Sequence, residues 1–386
     1  MINYKMNTMP PAEEIPEITT EQAKAARAFH SSFPEYEKTP LVKADSLARL
    51  LSLDKVYVKD ESYRFGLNAF KVLGASYAMG RYIGDKAGIT ADKLTLNSVK
   101  QCSKTLGKIP FYAATDGNHG RAVAWTAEKL SQPAEIYMPI GSSKERLDNI
   151  KSTGAYAEIT DMNYDDAVRF AANKAEKNGG VIIQDTAWNG YTEIPRHIME
   201  GYGVIVDEVL EDIEMPTHIF LQAGVGSFAG GVTGYVYDYC KKSGKQMPKI
   251  IVVESDKADC YYKSAVADDG KARFVGGEMR TLMAGLACGE PNTIAFELLK
   301  SRADCFVSCD DKISADGMRI LSTFGVTSGE SGAVTCGLLT HICMEQHELR
   351  SLLSLDESSR VLLISTEGNT DKERYRNIVW FGTSSL

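Results

Sequence analysis

A two-domain α/β fold with mostly parallel sheets is what this sequence predicts, on three observations. Short, nearly continuous apolar runs rich in β-branched and aromatic residues alternate with longer helical patterns, the signature of parallel sheets covered on both faces. Several of these runs pass straight into Gly/Ser/Asn-rich turns that open a helix, an arrangement that puts ligand sites at strand carboxyl ends. The length of 386 residues also exceeds what one hydrophobic core usually fills.

The predicted strands are 55–59, 109–113, 136–138, 181–183, 218–221, 250–253 and 361–364. Between the first two, the polar stretch from Gly84 to Lys108 reads as a helix plus a loop, a plausible domain crossover. A second change falls at 188–196, where Asn189-Gly190 and Pro195 precede a predicted helix over 196–210. These two points delimit one inserted α/β domain, residues 88–190, packed against a larger discontinuous domain built from 1–87 and 191–386.

Composition narrows the function classes. With 44% hydrophobic and 24% charged residues the chain has the profile of a globular protein. A net charge of −8 without an offsetting basic patch argues against a nucleic-acid partner. No segment reaches the roughly 18 apolar residues of a membrane helix, and the first twenty residues lack the apolar run of a signal peptide. The eight cysteines are scattered without a CxxC pair, which fits a reduced, cytoplasmic protein. Cys305 and Cys309 lie four apart on a strand-like run that suits no metal site, and no metal is expected. Whether Cys260 and Cys288 approach each other stays open.

Four segments carry chemistry. In the first, Asn68 is the expected N-cap of a helix that has Lys71 in its first turn and Gly74 and Ala75 as a small face for close packing. A lysine there opposes the macrodipole, and near an apolar helix its amine is expected to lose charge readily, as an imine-forming lysine needs. An ordinary surface lysine is the other reading of that segment alone. The second segment, Thr115-Asp116-Gly117-Asn118-His119-Gly120, runs from a strand into a helix. Backbone N–H groups at such a turn can hold a carboxylate; a capped helix with a tight Asp-Gly turn is the alternative. His119 alone reads as a hydrogen-bonded helix residue.

The third segment, Gln222 followed by Ala223, Gly224, Val225, Gly226 and Ser227, again ends a strand and opens a helix. Repeated glycine lets backbone amides close around a phosphate, and Ser227 offers a hydroxyl. Neither GxGxxG nor GxxxxGK[ST] is present, so the phosphate of a cofactor smaller than a nucleotide is preferred. The last predicted strand ends in Thr366-Glu367-Gly368-Asn369, where Thr366 can meet a cofactor ring.

In this order the four segments resemble the fold-type II pyridoxal-phosphate enzymes: serine/threonine dehydratases, serine racemases and threonine synthases. The resemblance covers roughly residues 39 to 369. Phe70, Lys71, Gly74 and Ala75 match F-K-x-x-G-A. Gly117, Asn118, His119 and Gly120 match the substrate loop, residues 223–227 the phosphate loop and 366–369 the late S-G-x-N turn. The stretch Glu330-Ser331-Gly332-Ala333 looks like the helix start that follows the phosphate loop in these enzymes.

The resemblance implies a tryptophan-synthase-β-like fold, with pyridoxal 5′-phosphate in the cleft between the domains, and a homodimer. It implies that Lys71 holds the cofactor as an imine, with Phe70 beside it, and that Asn118 bonds the ring 3′-oxygen. Ala223, Gly224, Val225, Gly226 and Ser227 hold the phosphate, and Thr366 meets the pyridine nitrogen. Thr115, Asp116, Gly117, Asn118 and His119 take the substrate carboxylate. A hydroxyl at the pyridine nitrogen makes the ring a weaker electron sink, which fits prompt β-elimination.

Two acids depart from the common pattern. Asp116 stands where the family usually has serine, and Asp185 ends the strand 181–184; a cap or turn residue is its alternative reading. Acids around a pocket suit a cationic side group on the substrate. The combination of T-D-G-N-H-G, Q-D-T-A-W and M-A-G-L-A-C-G (residues 283–289) is similar to the diaminopropionate ammonia-lyases, which convert 2,3-diaminopropionate to pyruvate and ammonia. That reading makes Lys71, Asp116 and Asp185 catalytic, with Asp185 also meeting the small amino-acid substrate. Serine/threonine dehydration or racemisation on the same scaffold is the alternative, and a non-catalytic amino-acid-binding module a reading of another class.

Overall fold

A computed structural model describes all residues except Asp116 and 384–386. Among the described residues eleven strands form two sheets. In chain order they are β1 (Ile2–Met6), β2 (Leu41–Lys43), β3 (Lys55–Asp60), β4 (Phe111–Ala114), β5 (Ala134–Met138), β6 (Tyr156–Ile159), β7 (Val181–Ile182), β8 (His218–Gln222), β9 (Lys249–Ser255), β10 (Cys305–Cys309) and β11 (Arg360–Ser365).

The larger sheet has the order β1-β10-β9-β8-β11-β3-β2 and the smaller β6-β5-β4-β7. All pairings are parallel except the two edges of the larger sheet, where β1 meets β10 and β2 meets β3 antiparallel. The apolar runs explain why. On β8, Ile219 and Leu221 join one core cluster while Phe220 joins the other. On β9, Ile250 and Val252 separate from Ile251 and Val253 in the same way. A strand apolar on both faces needs helices on both, and right-handed crossovers supply them between parallel strands. Each such side chain taken out of water stabilises the fold by about 1.5–3 kcal/mol. Strands β1, β2 and β6 are short and only partly buried, so their weak apolar signal hides them from a sequence reading.

Two helices bring the site together. The helix Lys71–Lys86 packs against the helix Glu193–Tyr202 through glycines on both sides. A Cβ at Gly74 would lie 2.6 Å from Ile198 Cγ2, and one at Gly201 would lie 2.3 Å from the Leu73 carbonyl. Only hydrogen fits at these two positions, as expected for Gly74 from the sequence.

Local details differ from the sequence reading in two places. The predicted helix 196–210 begins at Glu193, with Pro195 in its first turn, and breaks at Gly203 into Glu193–Tyr202 and Val204–Val209. Proline is tolerated in a first turn, where its missing N–H has no helical partner to lose. Asn68 is not the N-cap of the Lys71 helix: that position is Phe70, and Asn68 lies in the left-handed region at φ 60°. Tertiary pairing explains the difference. Phe70 N–H donates to the Thr366 carbonyl at 3.0 Å and Gly368 N–H to the Asn68 carbonyl at 3.0 Å, so residues 68–70 lie against the turn after β11 instead of capping a helix. No helix among the described residues is long and apolar enough to cross a membrane.

Candidate active site

The carboxyl ends of β4, β8 and β11 and the first turn of the Lys71 helix open onto one cavity of about 1060 Å³. Phe70, Lys71, Thr115, Asn118, His119, Asp185, residues 223–227 and Thr366 all line it. Gly117 is buried at the start of the helix Asn118–Lys129, and its N–H donates to Thr115 Oγ1 at 2.9 Å. Asp116 lies outside the described residues.

Lys71 Nζ lies 2.5 Å from Asp185 Oδ2, with the aspartate side chain only 4% exposed. This reverses the expectation of a neutral amine. Burial by itself would lower the Lys71 pKa, but the Asp185 carboxylate overcomes it and raises the pKa above the ordinary lysine value. Burial would likewise raise Asp185, yet Lys71 and His119 hold it below the usual aspartate range. The pair is therefore charged, and the macrodipole argument from sequence fails because it could not know that a carboxylate 114 residues away faces the amine.

Asp185 is held by its own segment. Its carbonyl accepts from the Ser227 hydroxyl and, at 3.3 Å, from Asn292 Nδ2. Gln184 before it accepts from Ala114 N–H at 3.1 Å and donates to the Tyr164 hydroxyl at 2.7 Å. Tyr191 Oη then closes the bend, donating to the Ile182 carbonyl at 2.9 Å and accepting from Gln184 N–H. The strand ends at Ile182 rather than Gln184, because these side-chain bonds replace the ladder.

The glycine turn has the character of an anion cradle. Among the described residues no acceptor takes the N–H groups of Gly224, Val225, Gly226 or Ser227, whereas Ala223 N–H is already used by Val253 at 2.8 Å. Gly226 has φ 91°, and a Cβ there would lie 2.0 Å from Tyr261 Oη; only glycine holds this turn without strain. The Ser227 hydroxyl does not face it as the sequence suggested. Ser227 donates to Asp185 and accepts from Asn292 Nδ2 at 2.7 Å, which leaves the anion-binding work to the backbone. Four unpartnered amides at the start of the helix Ser227–Ser243 fit a phosphate, and a lysine amine in the same cavity fits an aldehyde. The residues present therefore fit pyridoxal phosphate.

Other partners define the rest of the wall. Thr366 Oγ1 accepts from Gln222 Nε2 at 2.9 Å, and the same amide nitrogen donates to the Ile364 carbonyl at 3.0 Å. That carbonyl fixes which end of the Gln222 amide faces Thr366, so the threonine hydrogen is free to point elsewhere. Asn118 Nδ2 donates to Glu367 Oε2, whose other oxygen accepts from Ser331 N–H at 3.1 Å. His119 Nε2 donates to the Ile183 carbonyl at 2.7 Å, the hydrogen-bonded role expected from sequence. Across the cavity Arg146 Nη2 donates to Thr370 Oγ1 at 3.2 Å.

Sequence reasoning gave no role to Gln222, Arg146 or Glu367, all on the cavity wall. Gln222 and Glu367 stand inside segments it singled out, ahead of the glycine turn and after Thr366, whereas Arg146 had no signal. The eight cysteines form no disulfide; Cys260 donates to Glu254 Oε1 at 3.5 Å, and burial followed by that carboxylate raises its thiol pKa.

Comparison with known proteins agrees with this architecture. Residues 33–367 match the family model "Pyridoxal-phosphate dependent enzyme". The chain is 48% identical over 373 residues to a diaminopropionate ammonia-lyase of Salmonella typhimurium, covering 93% of this chain and 92% of that one. It is 47% identical to the Escherichia coli K12 enzyme of the same name, covering 97% and 95%. The crystal structure of the Escherichia coli enzyme with an aminoacrylate-PLP azomethine reaction intermediate superposes with a TM-score of 0.90, at 44% identity over 100% of this chain and 98% of that one. Maize serine racemase, at 19% identity and a TM-score of 0.73, shares the fold. With its lysine, amide cradle and two parallel sheets in the order described, the chain belongs to the pyridoxal-phosphate dependent enzymes of fold type II.

Proposed function

We propose that this chain eliminates ammonia from 2,3-diaminopropionate, giving pyruvate and two molecules of ammonia for each water consumed. The observation that carries the reading is the Lys71–Asp185 ion pair, 2.5 Å long, in one cavity with the open amides of 224–227. Similarity to diaminopropionate ammonia-lyases over nearly the whole chain supports the substrate.

Bound pyridoxal phosphate supplies the electron sink for charge developing at the substrate α-carbon. Gly224, Val225, Gly226 and Ser227 offer backbone N–H groups to its phosphate, with Ala223 leading into the turn. Phe70, whose ring lies 5.3 Å from Lys71 Nζ, walls the lysine side. Thr366, accepting from Gln222, would have its hydrogen available for the pyridine nitrogen, and Asn118, now donating to Glu367, would hold the ring 3′-oxygen. Thr115, Gly117, Asn118 and His119 hold the substrate carboxylate, which fixes the Cα–H bond relative to Lys71.

The Lys71 amine takes the α-proton of the L-isomer. Asp185 stabilises the lysine when it is an ammonium and faces the substrate β-ammonium when it is not. The β-nitrogen leaves as neutral ammonia, and the aminoacrylate set free hydrolyses to pyruvate and the second ammonia. Asp116 serves as the base for the D-isomer. General acid–base help of this kind contributes about 10²–10⁴-fold. Residues 88–190 act as the smaller domain closing on 1–87 and 191–386, in a cytoplasmic homodimer.

Incubation with D- and L-diaminopropionate and with serine, following pyruvate, tests the substrate. Diaminopropionate should turn over far faster than serine; the reverse ranking would favour a dehydratase. Lys71→Ala should abolish both turnover and the reducible covalent cofactor link. Asp116→Asn should damage one enantiomer more than the other, and equal losses would remove its stereospecific role.

A further inference from the structure

The geometry points to a divalent transition-metal site, best suited to zinc, formed by Asp85, Glu193 and His197 on the side of the protein away from the cofactor cavity. Glu193 and His197 are four apart on the helix Glu193–Tyr202 and so share one face. Asp85 sits in the last turn of the helix Lys71–Lys86, which packs against that face. One ligand atom from each of the three lies within 4.8 Å of the others.

The histidine turns an acidic corner into a site. His197 is 7% exposed, and its Nδ1 lies 2.9 Å from Glu200 Oε2. A carboxylate only accepts, so Nδ1 carries the hydrogen, and Nε2 points toward Asp85. This carboxylate–histidine arrangement fixes tautomer and ring angle in metal centres. Among the described residues Nε2 has no hydrogen-bond partner; Asp85 Oδ2 stands 3.9 Å away, too far for a hydrogen bond. The ring nitrogen and the carboxylates of Asp85 and Glu193 thus converge on one point that no hydrogen bond from Nε2 fills.

The spacing and donor set suit zinc. With metal–ligand bonds of about 2.0–2.2 Å, tetrahedral ligand atoms lie roughly 3.3–3.5 Å apart, so the corner, now within 4.8 Å, has to contract by up to about 1.5 Å. Asp85 and Glu193 are exposed and can close it by side-chain rotation, while buried His197 stays in place. One imidazole and two carboxylates favour zinc over magnesium or calcium, and water takes the fourth position. Arg81 works against the ion: its Nη2 lies 3.4 Å from both Asp85 oxygens and must swing aside, leaving Tyr77 Oη as its partner at 3.4 Å. The ion would join the end of the helix that begins at Lys71 to the start of the helix that follows the Asp185 segment.

The test uses holoenzyme stripped with a chelator, dialysed and titrated with zinc chloride by calorimetry, with cobalt(II) absorption as a spectroscopic check. One zinc per chain is expected in the wild type, with D85N and E193Q each weakening it at least tenfold and H197Q abolishing it. Zinc should raise the melting temperature of the wild type and not of the variants. Absence of zinc binding, or binding that is unchanged in D85N and E193Q, overturns the site and leaves a proton as the only cation between His197 and Asp85. D85N and E193Q alter exposed side chains, so they decide the matter even if H197Q does not fold.

Discussion

Replacing Asp185 by asparagine should move cofactor loading and turnover in opposite directions. In the wild type the carboxylate lies 2.5 Å from the Lys71 ammonium, with 4% and 20% of the two side chains exposed. An opposite charge within about 4–6 Å shifts a pKa by about 1–3 units, and a contact this short in a closed pocket belongs near the upper end. Losing it lowers the Lys71 pKa by about 2–3 units, or roughly 3–4 kcal/mol. The fraction of neutral amine at a fixed pH below that pKa then rises about 100- to 1000-fold.

Imine formation needs the neutral amine, so apo Asp185→Asn should load pyridoxal phosphate faster, with its pH profile displaced about two units to lower pH. Turnover of diaminopropionate should fall about 10²–10⁴-fold, because the group paired with the lysine is gone. The assay is absorbance of the bound cofactor after mixing, from about pH 6 to about pH 9, beside pyruvate release from the reconstituted enzyme. Superimposable loading profiles for variant and wild type would refute the claim that Asp185 keeps Lys71 charged.

The same pair has a stability signature. Lys71 is raised, so its contribution is present below its ordinary value of 10.5 and lost as pH climbs through the folded value. Asp185 is lowered, so its contribution is present above 3.8 and lost as pH falls through the folded value. At neutral pH the apo variant should therefore melt below the apo wild type.

Three further outcomes are expected. Gly226→Ala places a Cβ 2.0 Å from Tyr261 Oη at φ 91°; left-handed strain of about 1–2 kcal/mol plus overpacking of about 1–3 kcal/mol should weaken cofactor binding roughly 30-fold to several thousand-fold, read by equilibrium titration, whereas an unchanged affinity would show that the phosphate rests elsewhere. Gln222→Glu offers Thr366 an acceptor in place of a donor and should turn the threonine hydrogen away from the pyridine nitrogen. A changed absorbance of the bound cofactor and a roughly tenfold or larger loss of turnover should follow, and an unaltered spectrum would rule out this orienting role.

Glu208→Gln removes the carboxylate shared by Arg64 and Lys59, which donate to it at 2.7 and 2.6 Å with all three side chains fully buried, leaving the Glu61 carboxylate beside two buried cations. It should cost about 3–5 kcal/mol in urea unfolding. Burial alone would raise Glu208, but Arg64 and Lys59 hold it at about 2 against an ordinary 4.5. Wild-type stability from this group should accordingly persist above about pH 4.5 and drain away toward about pH 2, a slope the variant should lack.

Apart from the edge strand β7, the strands that were legible in the sequence sit inside a sheet. For β8, β9 and β11 every residue, or all but the first, is buried, and two-sided burial demands a continuous apolar run that needs no partner to be recognised. The edge strand β1 carries Ile, Asn, Tyr, Lys and Met, all only partly buried, and becomes a strand because β10 offers it a ladder. Asn68 was misjudged for a related reason. Capping propensity is local, whereas the bonds from Phe70 and Gly368 that set this segment come from a turn about 300 residues on.

For the site, local sequence determined the parts. A lysine after phenylalanine, a Gly-Asn-His turn and a glycine turn behind a strand are contiguous pieces whose backbone geometry follows from their own residues. Tertiary structure alone decided the charges and the corners: that Asp185 meets Lys71, that the Ser227 hydroxyl turns inward, that Gln222 orients Thr366, and that Asp85 comes to face His197. The physical reason is range. Dihedral preferences and apolar periodicity act between near neighbours in the chain, whereas a pKa or a ligand set depends on atoms a few ångströms apart in space, whatever their separation in sequence.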